Sequence, residues 1–153
     1  DTVIEVTRTP GYLGVSVDLP LSVGIPITYI PDQSLRLQLY RRMANISDLA
    51  ELDQLEDEFK DRFGPPVEQV KDLFYQLKVK LLAGQAGLVS VSVEADQIVL
   101  RFPPLPNGIS ARELAPIGMQ TRAGRNAYWM KFDVEEPGWR ENLLAVLNVI
   151  ISL

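Results

Sequence analysis

Residues 25–44 read IPITYIPDQSLRLQLYRRMA, and residues 49–64 read LAELDQLEDEFKDRFG. The first stretch begins extended, because a proline disfavours helical backbone in the residue before it. It then passes into an amphipathic helix that is predicted to run from the N-cap Asp32 to about Ala44. This order of elements decides the fold of the first half of the chain.

Two more amphipathic helices are predicted to follow the first. Ser47 is the predicted N-cap of the second helix, and Gly64 suits the left-handed position at its end. Pro65 prevents its continuation, and a third helix is predicted from about Pro66 to Ala83. The residues predicted to face inward are Leu35, Leu39 and Met43 on the first helix, Leu49, Leu52, Leu55, Phe59 and Phe63 on the second, and Val67, Val70, Leu73, Phe74, Leu77 and Leu81 on the third.

The sequence pattern changes after Gly87, where apolar and polar residues alternate as in strands. The predicted elements are a hairpin of residues 89–94 and 98–102, a short helix from Ser110 to Leu114, a second hairpin around residues 124–126 that returns along 127–133, and a final helix over 138–153. The predicted fold class is therefore α+β. It consists of an N-terminal helical layer of about three helices, followed by antiparallel β-hairpins and a C-terminal helix.

The N-terminal part gives a weaker signal. Residues 1–15 are interpreted as a linker or flexible segment, with residues 15–18 able to add an edge strand, and residues 16–153 as a single domain. No signal peptide or membrane span is predicted, because the apolar run 143–153 is shorter than the roughly 20 residues that a bilayer requires. The chain lacks an initiator Met, and we expect a fragment of a longer polypeptide or a chain whose disordered ends were trimmed.

Composition excludes several kinds of catalytic site. The 153 residues contain no Cys and no His, which excludes disulfides and triads of the Ser-His-Asp or Cys-His type. No Gly-Lys pair and no G-x-G-x-x-G sequence occurs, so a phosphate-binding loop of either kind is also excluded. We expect no enzyme activity, no catalytic or metal-binding residue and no cofactor in this chain.

Charge is uneven along the chain. The net charge is −5, and residues 47–86 carry nine acidic and five basic side chains, a local charge of −4. Proteins that grip a phosphate backbone usually present a basic field. A basic protein surface is therefore the expected partner of the predicted helical hairpin, in preference to DNA.

An acidic run on the second helix allows several interpretations. It can be a solvated face, a docking face, a metal site or a carboxylate pair. The last two need carboxylates that converge from several elements, which one helix face does not supply. On a helical wheel Glu58 and Asp61 point away from the apolar stripe and are predicted to be free for a partner, while Arg62 lies nearer the edge of the stripe. The run comprises Glu51, Asp53, Glu56, Asp57, Glu58 and Asp61.

Two other groups of residues have nucleic-acid binding as an alternative interpretation. Arg36, Arg41 and Arg42 on the first helix could contact phosphate, but ion pairs to the acidic second helix are favoured. The second group could stack on single strands, but packing within the protein is favoured. It comprises Tyr128 and Trp129 with Arg125 and Lys131.

Five short motifs carry a family resemblance. They are Ile25-Pro26, Tyr29-Ile30-Pro31-Asp32, Arg36-Leu37, Leu39-Tyr40-Arg41-Arg42 and Glu58-Phe59-x-Asp61-Arg62-Phe63-Gly64. In this order they resemble the C-terminal domain of bacterial transcription-repair coupling factor, with Phe59 where that family commonly has Leu. The resemblance covers about residues 16–86 and fades in the second half of the chain.

The resemblance implies a function for the whole protein. A member of this family is a cytoplasmic DNA translocase of superfamily 2, whose separate motor uses ATP and Mg²⁺. It pushes RNA polymerase stalled at DNA damage and recruits the excision-repair factor that recognises lesions. DNA is bound through the motor rather than through the C-terminal domain.

For residues 16–153 the resemblance implies a non-catalytic, autoinhibitory domain. This domain packs on the N-terminal repair-factor-binding module of the same polypeptide, and Glu58, Asp61 and Arg62 are its expected contact residues. The main alternative is an accessory nucleic-acid-binding domain of a helicase, which would bind DNA with a steep salt dependence. A carboxylate-dependent hydrolase is a third possibility that the one-sided acidic face disfavours.

Overall fold

The computed structural model describes residues 14–106 and 112–153. Its elements, in chain order, are β1 (Ser16–Asp18), α1 (Gln33–Ala44), α2 (Leu49–Phe63), α3 (Glu68–Gln85), β2 (Ser90–Glu94), β3 (Gln97–Arg101), β4 (Thr121–Ala123), β5 (Ala127–Lys131) and α4 (Trp139–Ile151). The α+β prediction is confirmed. The described residues form two compact units, residues 14 and 21–81 in the first and residues 15–20, 82–106 and 112–153 in the second. That residues 16–153 form a single domain stays a prediction.

The side chain of Asp32 caps α1 as predicted. It accepts hydrogen bonds from the backbone N–H groups of Ser34 and Leu35, at 2.9 and 3.3 Å. These are two of the N–H groups that have no partner inside a helix, so Asp32 fixes where the helix begins.

The cap of α2 differs by one residue from the prediction. Asp48, not Ser47, accepts the hydrogen bond from the Glu51 N–H group, at 2.8 Å. The Glu51 carboxylate in turn accepts from the backbone N–H and the hydroxyl of Ser47, at 2.7 and 3.0 Å. The predicted Ser47 cap is therefore wrong, because the Asp48 carboxylate binds the N–H group of the first turn, whereas Ser47 donates to the Glu51 side chain.

In the first unit, the core lies between the apolar faces of the three helices. The predicted stripes are confirmed at their centres, where these side chains are buried: Leu39, Met43, Leu52, Leu55, Phe59, Val70, Leu73, Phe74 and Leu81. Val67 was predicted to face inward but is 41% exposed, because it lies before the first residue of α3, Glu68. Val79 is fully buried and lies outside the predicted stripe.

The second unit contains one five-stranded sheet with the strand order β1-β2-β3-β5-β4. The two predicted hairpins are confirmed, since β2 pairs antiparallel with β3 and β4 pairs antiparallel with β5. β3 also pairs antiparallel with β5, whereas β1 pairs parallel with β2, with Val17 opposite Val91. β1 is thus the edge strand that residues 15–18 allowed, and it makes the sheet mixed rather than purely antiparallel.

The short helix predicted from Ser110 to Leu114 is not found at residues 112–114, and Ser110 itself lies outside the described residues. Glu113 instead forms a β-bridge with Arg125. Asn126 forms two hydrogen bonds with the backbone of Arg112. Its side-chain oxygen accepts from the Arg112 N–H group at 2.8 Å, and its own N–H group donates to the Arg112 carbonyl at 3.1 Å. These bonds hold residues 112–114 extended.

The final helix, α4, is confirmed and starts after Gly138, whose φ of 93° places it in the left-handed region. One face of α4 is buried, and the Trp139 ring packs edge-on against Phe132 with ring centres 5.0 Å apart. The buried residues of this helix are Trp139, Leu143, Val146, Leu147 and Ile150. This spacing of three and four residues is the amphipathic pattern of a helix that covers a core.

Candidate docking surface

The outer face of α2 is acidic. Leu52, Leu55 and Phe59 bury the inner face of the helix, which leaves its polar side chains outward. The exposed acidic residues are Glu51, Asp53, Asp57 and Asp61, and Glu56 and Glu58 are half-buried. A helix with one buried stripe presents the opposite side to solvent or to a partner.

Glu58 lies between two arginines. Arg42 from α1 binds it with a bidentate pair, Nη1 to Oε2 at 2.9 Å and Nη2 to Oε1 at 2.7 Å. Arg62, one turn further along α2, donates from Nη1 to the same Oε2 at 2.8 Å. The expectation that Glu58 is free is therefore wrong, because its carboxylate already bridges two guanidinium groups.

The two arginines fix the charge of Glu58. Hydrogen bonds from Arg42 and then from Arg62 lower the pKa of the Glu58 carboxyl to about 2. The same interaction with Glu58 raises the pKa of Arg42. Glu58 therefore stays ionised at neutral pH, and the three side chains together carry a net charge of +1.

An aromatic cluster supports Arg62. Its guanidinium lies 4.9 Å from the centre of the Phe63 ring, in the range of a cation–π contact. The Phe63 ring in turn packs edge-on against Phe59 and Tyr29, with ring centres 5.6 and 6.1 Å apart. Arg62 is thus held by Glu58 and by an aromatic surface, which agrees with its predicted place at the edge of the apolar stripe.

Tyr29 joins the segment before α1 to the end of α2. This segment was predicted to be extended, which is wrong for residues 27–29: they form a turn, in which the N–H groups of Tyr29 and Ile30 donate to the Pro26 carbonyl at 2.9 and 3.1 Å. The Tyr29 hydroxyl donates to the Gly64 carbonyl at 2.7 Å, and its ring stacks on Phe59 with centres 6.4 Å apart. Burial raises the pKa of the Tyr29 hydroxyl, so it remains a hydrogen-bond donor. The Tyr29-Ile30-Pro31-Asp32 and Asp61-Arg62-Phe63-Gly64 motifs, distant in sequence, meet at this point.

Of the three predicted contact residues, Asp61 is the one whose acidic side chain stays available. It is exposed, and within residues 14–106 and 112–153 it makes no ion pair or side-chain hydrogen bond. Of the three predicted contact residues, the structure thus brings Glu58 and Arg62 together and leaves Asp61 beside them without such an interaction. That these residues contact a partner stays a prediction.

The three arginines of α1 have different roles. Arg36 donates to the carbonyl oxygens of Ile30 and Pro31, at 2.8 and 2.9 Å. Arg42 pairs with the acidic second helix, which confirms the favoured interpretation for this residue. Arg41 is exposed. Since Arg36 and Arg42 are engaged within the protein, the three side chains do not form a shared phosphate-binding patch.

The aromatic pair of β5 also serves packing. Tyr128 is buried, and its hydroxyl donates to the Ala115 carbonyl at 2.8 Å. Trp129 is half-buried on the other side of the strand, with the Arg122 guanidinium 4.3 Å from its ring centre. The favoured packing interpretation is confirmed for Tyr128. The ring of Trp129 already makes a cation–π contact with Arg122 of the same chain.

Sequence reasoning favoured an ion pair from Arg42 to the second helix but did not identify Glu58 as its partner. Arg42 lies 16 positions before Glu58 and on a different helix, so only the packing of α1 against α2 brings the two together. The available signal was an arginine in the last turn of one helix followed by an acidic helix.

Among residues 14–106 and 112–153, no group of three or more acidic side chains is arranged to hold a metal ion. Within the same ranges, no helix combines the length and apolar character needed to cross a membrane.

Comparison with known proteins gives one consistent family. A sequence model of the TRCF domain matches residues 19–110. A transcription-repair-coupling factor from Rickettsia prowazekii is 36% identical over 87 residues, which cover 57% of this chain and 8% of that protein. The protein of the same name from Bacillus subtilis is 26% identical over 142 residues, or 86% of this chain and 12% of that protein. The chain therefore spans only a small part of these relatives.

A solved structure shares the fold. It is described as the crystal structure of the C-terminal domain of transcription-repair coupling factor. It aligns with a TM-score of 0.70 over 91% of this chain and 92% of that chain, at 18% sequence identity. The likeness extends over the β-rich second half, where the sequence motifs fade.

Proposed function

The chain belongs to the TRCF domain family of transcription-repair coupling factors, and from this membership we propose that it is a non-catalytic regulatory domain. It docks on another surface of its own, longer polypeptide and restrains that polypeptide's activity. The observation that carries the proposal is the family match over residues 19–110, which include the acidic α2 and the Arg42–Glu58–Arg62 group.

The longer polypeptide is, in this proposal, a cytoplasmic DNA translocase that hydrolyses ATP with Mg²⁺ in a separate motor. It acts on RNA polymerase stalled at DNA damage and recruits an excision-repair factor. The partner of the present domain is the N-terminal module that binds this factor. While docked, the domain covers that module and holds the motor in a resting state.

The surface of α2 suits a contact of this kind. Asp61 is exposed and lies one residue from Arg62, so the surface offers both signs of charge within one helical turn. Complementary charges at an interface contribute specificity and association rate more than affinity. A tether compensates for weak affinity, since it supplies an effective concentration in the mM range. Such contacts release readily when the motor engages polymerase.

The experiment that tests the proposal compares the longer polypeptide with and without residues 16–153. The measured quantities are the rate of ATP hydrolysis without DNA and the affinity for duplex DNA by fluorescence anisotropy. We expect both to rise on deletion, because the restraint is removed. Unchanged hydrolysis, or a loss of DNA binding, would contradict the proposal, and the second result would favour an accessory nucleic-acid-binding domain.

A further inference from the structure

One face of the sheet in the second unit is basic, and we propose that it binds a short acidic segment of a second protein. This surface, called here the β4–β5 face, is the side of β4 and β5 that carries Arg122, Trp129 and Lys131. It goes beyond the proposed function, which concerns the acidic α2 of the first unit. The β4–β5 face has the opposite charge, so it suits a different partner.

The strand register places these side chains on one side of the sheet. Arg122 of β4 lies directly opposite Trp129 of β5. Lys131 follows Trp129 by two positions, and side chains two positions apart in a strand point to the same side. Tyr128, which alternates with them, points to the other side and is buried. The cation of Arg122 and that of Lys131 therefore flank the indole ring on the same surface.

The positive charges of this region are unpaired. Residues 121–131 contain three basic side chains, Arg122, Arg125 and Lys131, and no acidic one, although the whole chain has a net charge of −5. All three are exposed, and none forms an ion pair or a side-chain hydrogen bond with any residue that the structure describes. Glu113 lies beside Arg125 in a β-bridge. Arg122 and Lys131 are therefore the two cations most open to an external anion.

The neighbouring half of the same sheet face shows the contrast. Arg101 of β3 donates to both carboxylate oxygens of Glu94 on β2, at 2.6 and 3.2 Å. By the ladder register, both side chains belong to the side of the sheet that carries Trp129. On β2 and β3 an internal carboxylate thus neutralises the cation. On β4 and β5 no described carboxylate does so, and a partner can supply one.

The guanidinium of Arg122 is held in place without using its hydrogen-bond donors. It lies 4.3 Å from the centre of the Trp129 ring, in the range of a cation–π contact. The ring is itself confined by Gly124, where an added Cβ atom would lie 2.6 Å from Cζ3 of the indole. An arginine side chain has five N–H groups, and a cation–π contact occupies none of them as a hydrogen bond. A positioned guanidinium loses less conformational entropy when it binds a carboxylate.

Charge and surface favour a protein segment over nucleic acid as the occupant. A duplex carries one negative charge for about every 1.7 Å, so a long polyanion would also meet the acidic remainder of the chain. Single strands bind by stacking bases on aromatic rings, but Tyr128 is buried and Trp129 is already in contact with Arg122. A short acidic segment needs only the basic face itself.

Peptide binding to the 153-residue chain tests the proposal. The probe is a fluorescein-labelled peptide of alternating glutamate and serine, and the same peptide with glutamine in place of glutamate is its uncharged match. Fluorescence anisotropy measures the affinity as a function of salt, Trp emission reports contact with Trp129, and thermal unfolding shows whether each variant folds. The variants are Arg122→Gln, Arg122→Lys, Lys131→Gln, the pair Arg122→Gln/Lys131→Gln, Trp129→Leu, and the control Arg41→Gln, which removes an exposed cation from the other unit.

The glutamate peptide should bind saturably at low salt and more weakly as salt rises, because the contacts are ionic. Arg122→Gln and Lys131→Gln should each weaken binding about threefold, as expected for one exposed ion pair, and the pair about tenfold. Arg122→Lys should lie in between, since it keeps the charge and loses the planar guanidinium. Trp emission should change on binding in the parent chain and not in Trp129→Leu. Arg41→Gln should bind as the parent does, and the glutamine peptide should not bind.

Four results would overturn the proposal. The first is no binding of the glutamate peptide at low salt, and the second is equal binding by the parent and by a folded Arg122→Gln/Lys131→Gln chain. The third is tighter binding of an oligothymidylate of equal charge, weakened by the same two substitutions, which would make a single strand the occupant. The fourth is self-association in sedimentation that these substitutions abolish, which would make a second copy of the chain the occupant. None of them bears on the proposed function, which the deletion of residues 16–153 tests separately.

Discussion

The phenolic oxygen of Tyr29 lies 2.7 Å from the carbonyl oxygen of Gly64, so the turn before α1 is hydrogen-bonded to the residue that ends α2. The ring of Tyr29 also contacts Phe59 and Phe63, on the two preceding turns of α2. A loop and a helix end are thereby joined beside Arg62, whose guanidinium lies over Phe63. The candidate docking surface is built on this junction.

Replacing Tyr29 by Phe should lower the free energy of unfolding by about 1 kcal/mol, because the ring contacts remain and one hydrogen bond is lost. Tyr40→Phe is the informative comparison. The Tyr40 oxygen accepts from the buried Ile25 N–H group at 2.7 Å, and its loss leaves a donor unpaired. That variant should lower the free energy of unfolding by more, about 1–3 kcal/mol. Urea unfolding of the 153-residue chain measures both values. If the parent chain, Tyr29→Phe and Tyr40→Phe are equally stable, the two hydrogen bonds do not contribute as described.

Gly64→Ala should destabilise the chain by about 1–3 kcal/mol. Gly64 has φ 89° and ψ −177°, a combination that a side chain with a Cβ atom adopts only under strain. An added Cβ would meet no heavy atom within 4 Å, so the cost would come from the backbone alone. Urea unfolding measures the cost, and an alanine variant as stable as the parent would show that the α2 terminus adopts another conformation.

The free energy of unfolding should decrease as the pH is lowered, in part because of Glu58. The pKa of this carboxyl is about 2 in the folded chain against 4.5 for the free group. The unfolded state therefore takes up the proton first, and the contribution of Glu58 is complete above about pH 4.5 and lost as the pH falls towards about 2. It should not exceed about 1 kcal/mol, because both arginines are half exposed.

The measurement for Glu58 is urea unfolding of the parent chain and of Glu58→Gln across that pH range. The difference between the two free energies should shrink as the pH falls, and salt at about 1 M should reduce it at neutral pH. A difference that is constant with pH would mean that the carboxylate does not interact with Arg42 and Arg62 in solution.

Periodicity predicted the helices and the two hairpins because each of these patterns is local. The elements that it missed depend on contacts between distant residues. A strand at residues 15–18 was allowed by the sequence, but its parallel pairing with β2 joins residues more than seventy positions apart. Residues 112–114 are held extended by Asn126. Neither arrangement is visible in a short window of sequence. Val67 shows a smaller error, because the third helix was predicted from about Pro66 whereas α3 begins two residues later, at Glu68.

The candidate site was predicted in part for the same reason. The helical wheel placed Asp61 outward and Arg62 at the edge of the apolar stripe, and both placements agree with the structure. A helical wheel shows one helix without the helices packed against it, so it could not show that Arg42 of α1 reaches Glu58. Of the two residues that the wheel predicted to be free, Glu58 is engaged by Arg42 and Arg62 in the fold.

Gly124→Ala should lower the free energy of unfolding by about 1–3 kcal/mol, because the added methyl group overpacks its surroundings. A Cβ atom at this position would lie 2.6 Å from Cζ3 of Trp129, so the indole ring must move and its contact with Arg122 must change. Urea unfolding and the Trp emission spectrum report the two effects. In a Trp129→Leu background the ring is absent, and the same glycine substitution should cost clearly less. Equal costs in both backgrounds would show that the ring does not pack on Gly124.

Asp61→Lys in the longer polypeptide should raise basal ATP hydrolysis while the 153-residue chain keeps its thermal stability. Asp61 is exposed and pairs with no described residue, so reversing its charge removes a partner contact without breaking an internal one. Glu58→Lys is a poorer test, because it would place a third cation between Arg42 and Arg62 and disturb the packing of α1 against α2.

The control for this experiment is Glu136→Lys, which makes the same change in net charge at an exposed position of the other unit. It should leave basal hydrolysis unchanged. If both lysine variants raise hydrolysis equally, the effect comes from net charge and not from docking through α2. If neither does, while deletion of residues 16–153 does, the domain restrains the motor through a surface other than the one that carries Asp61.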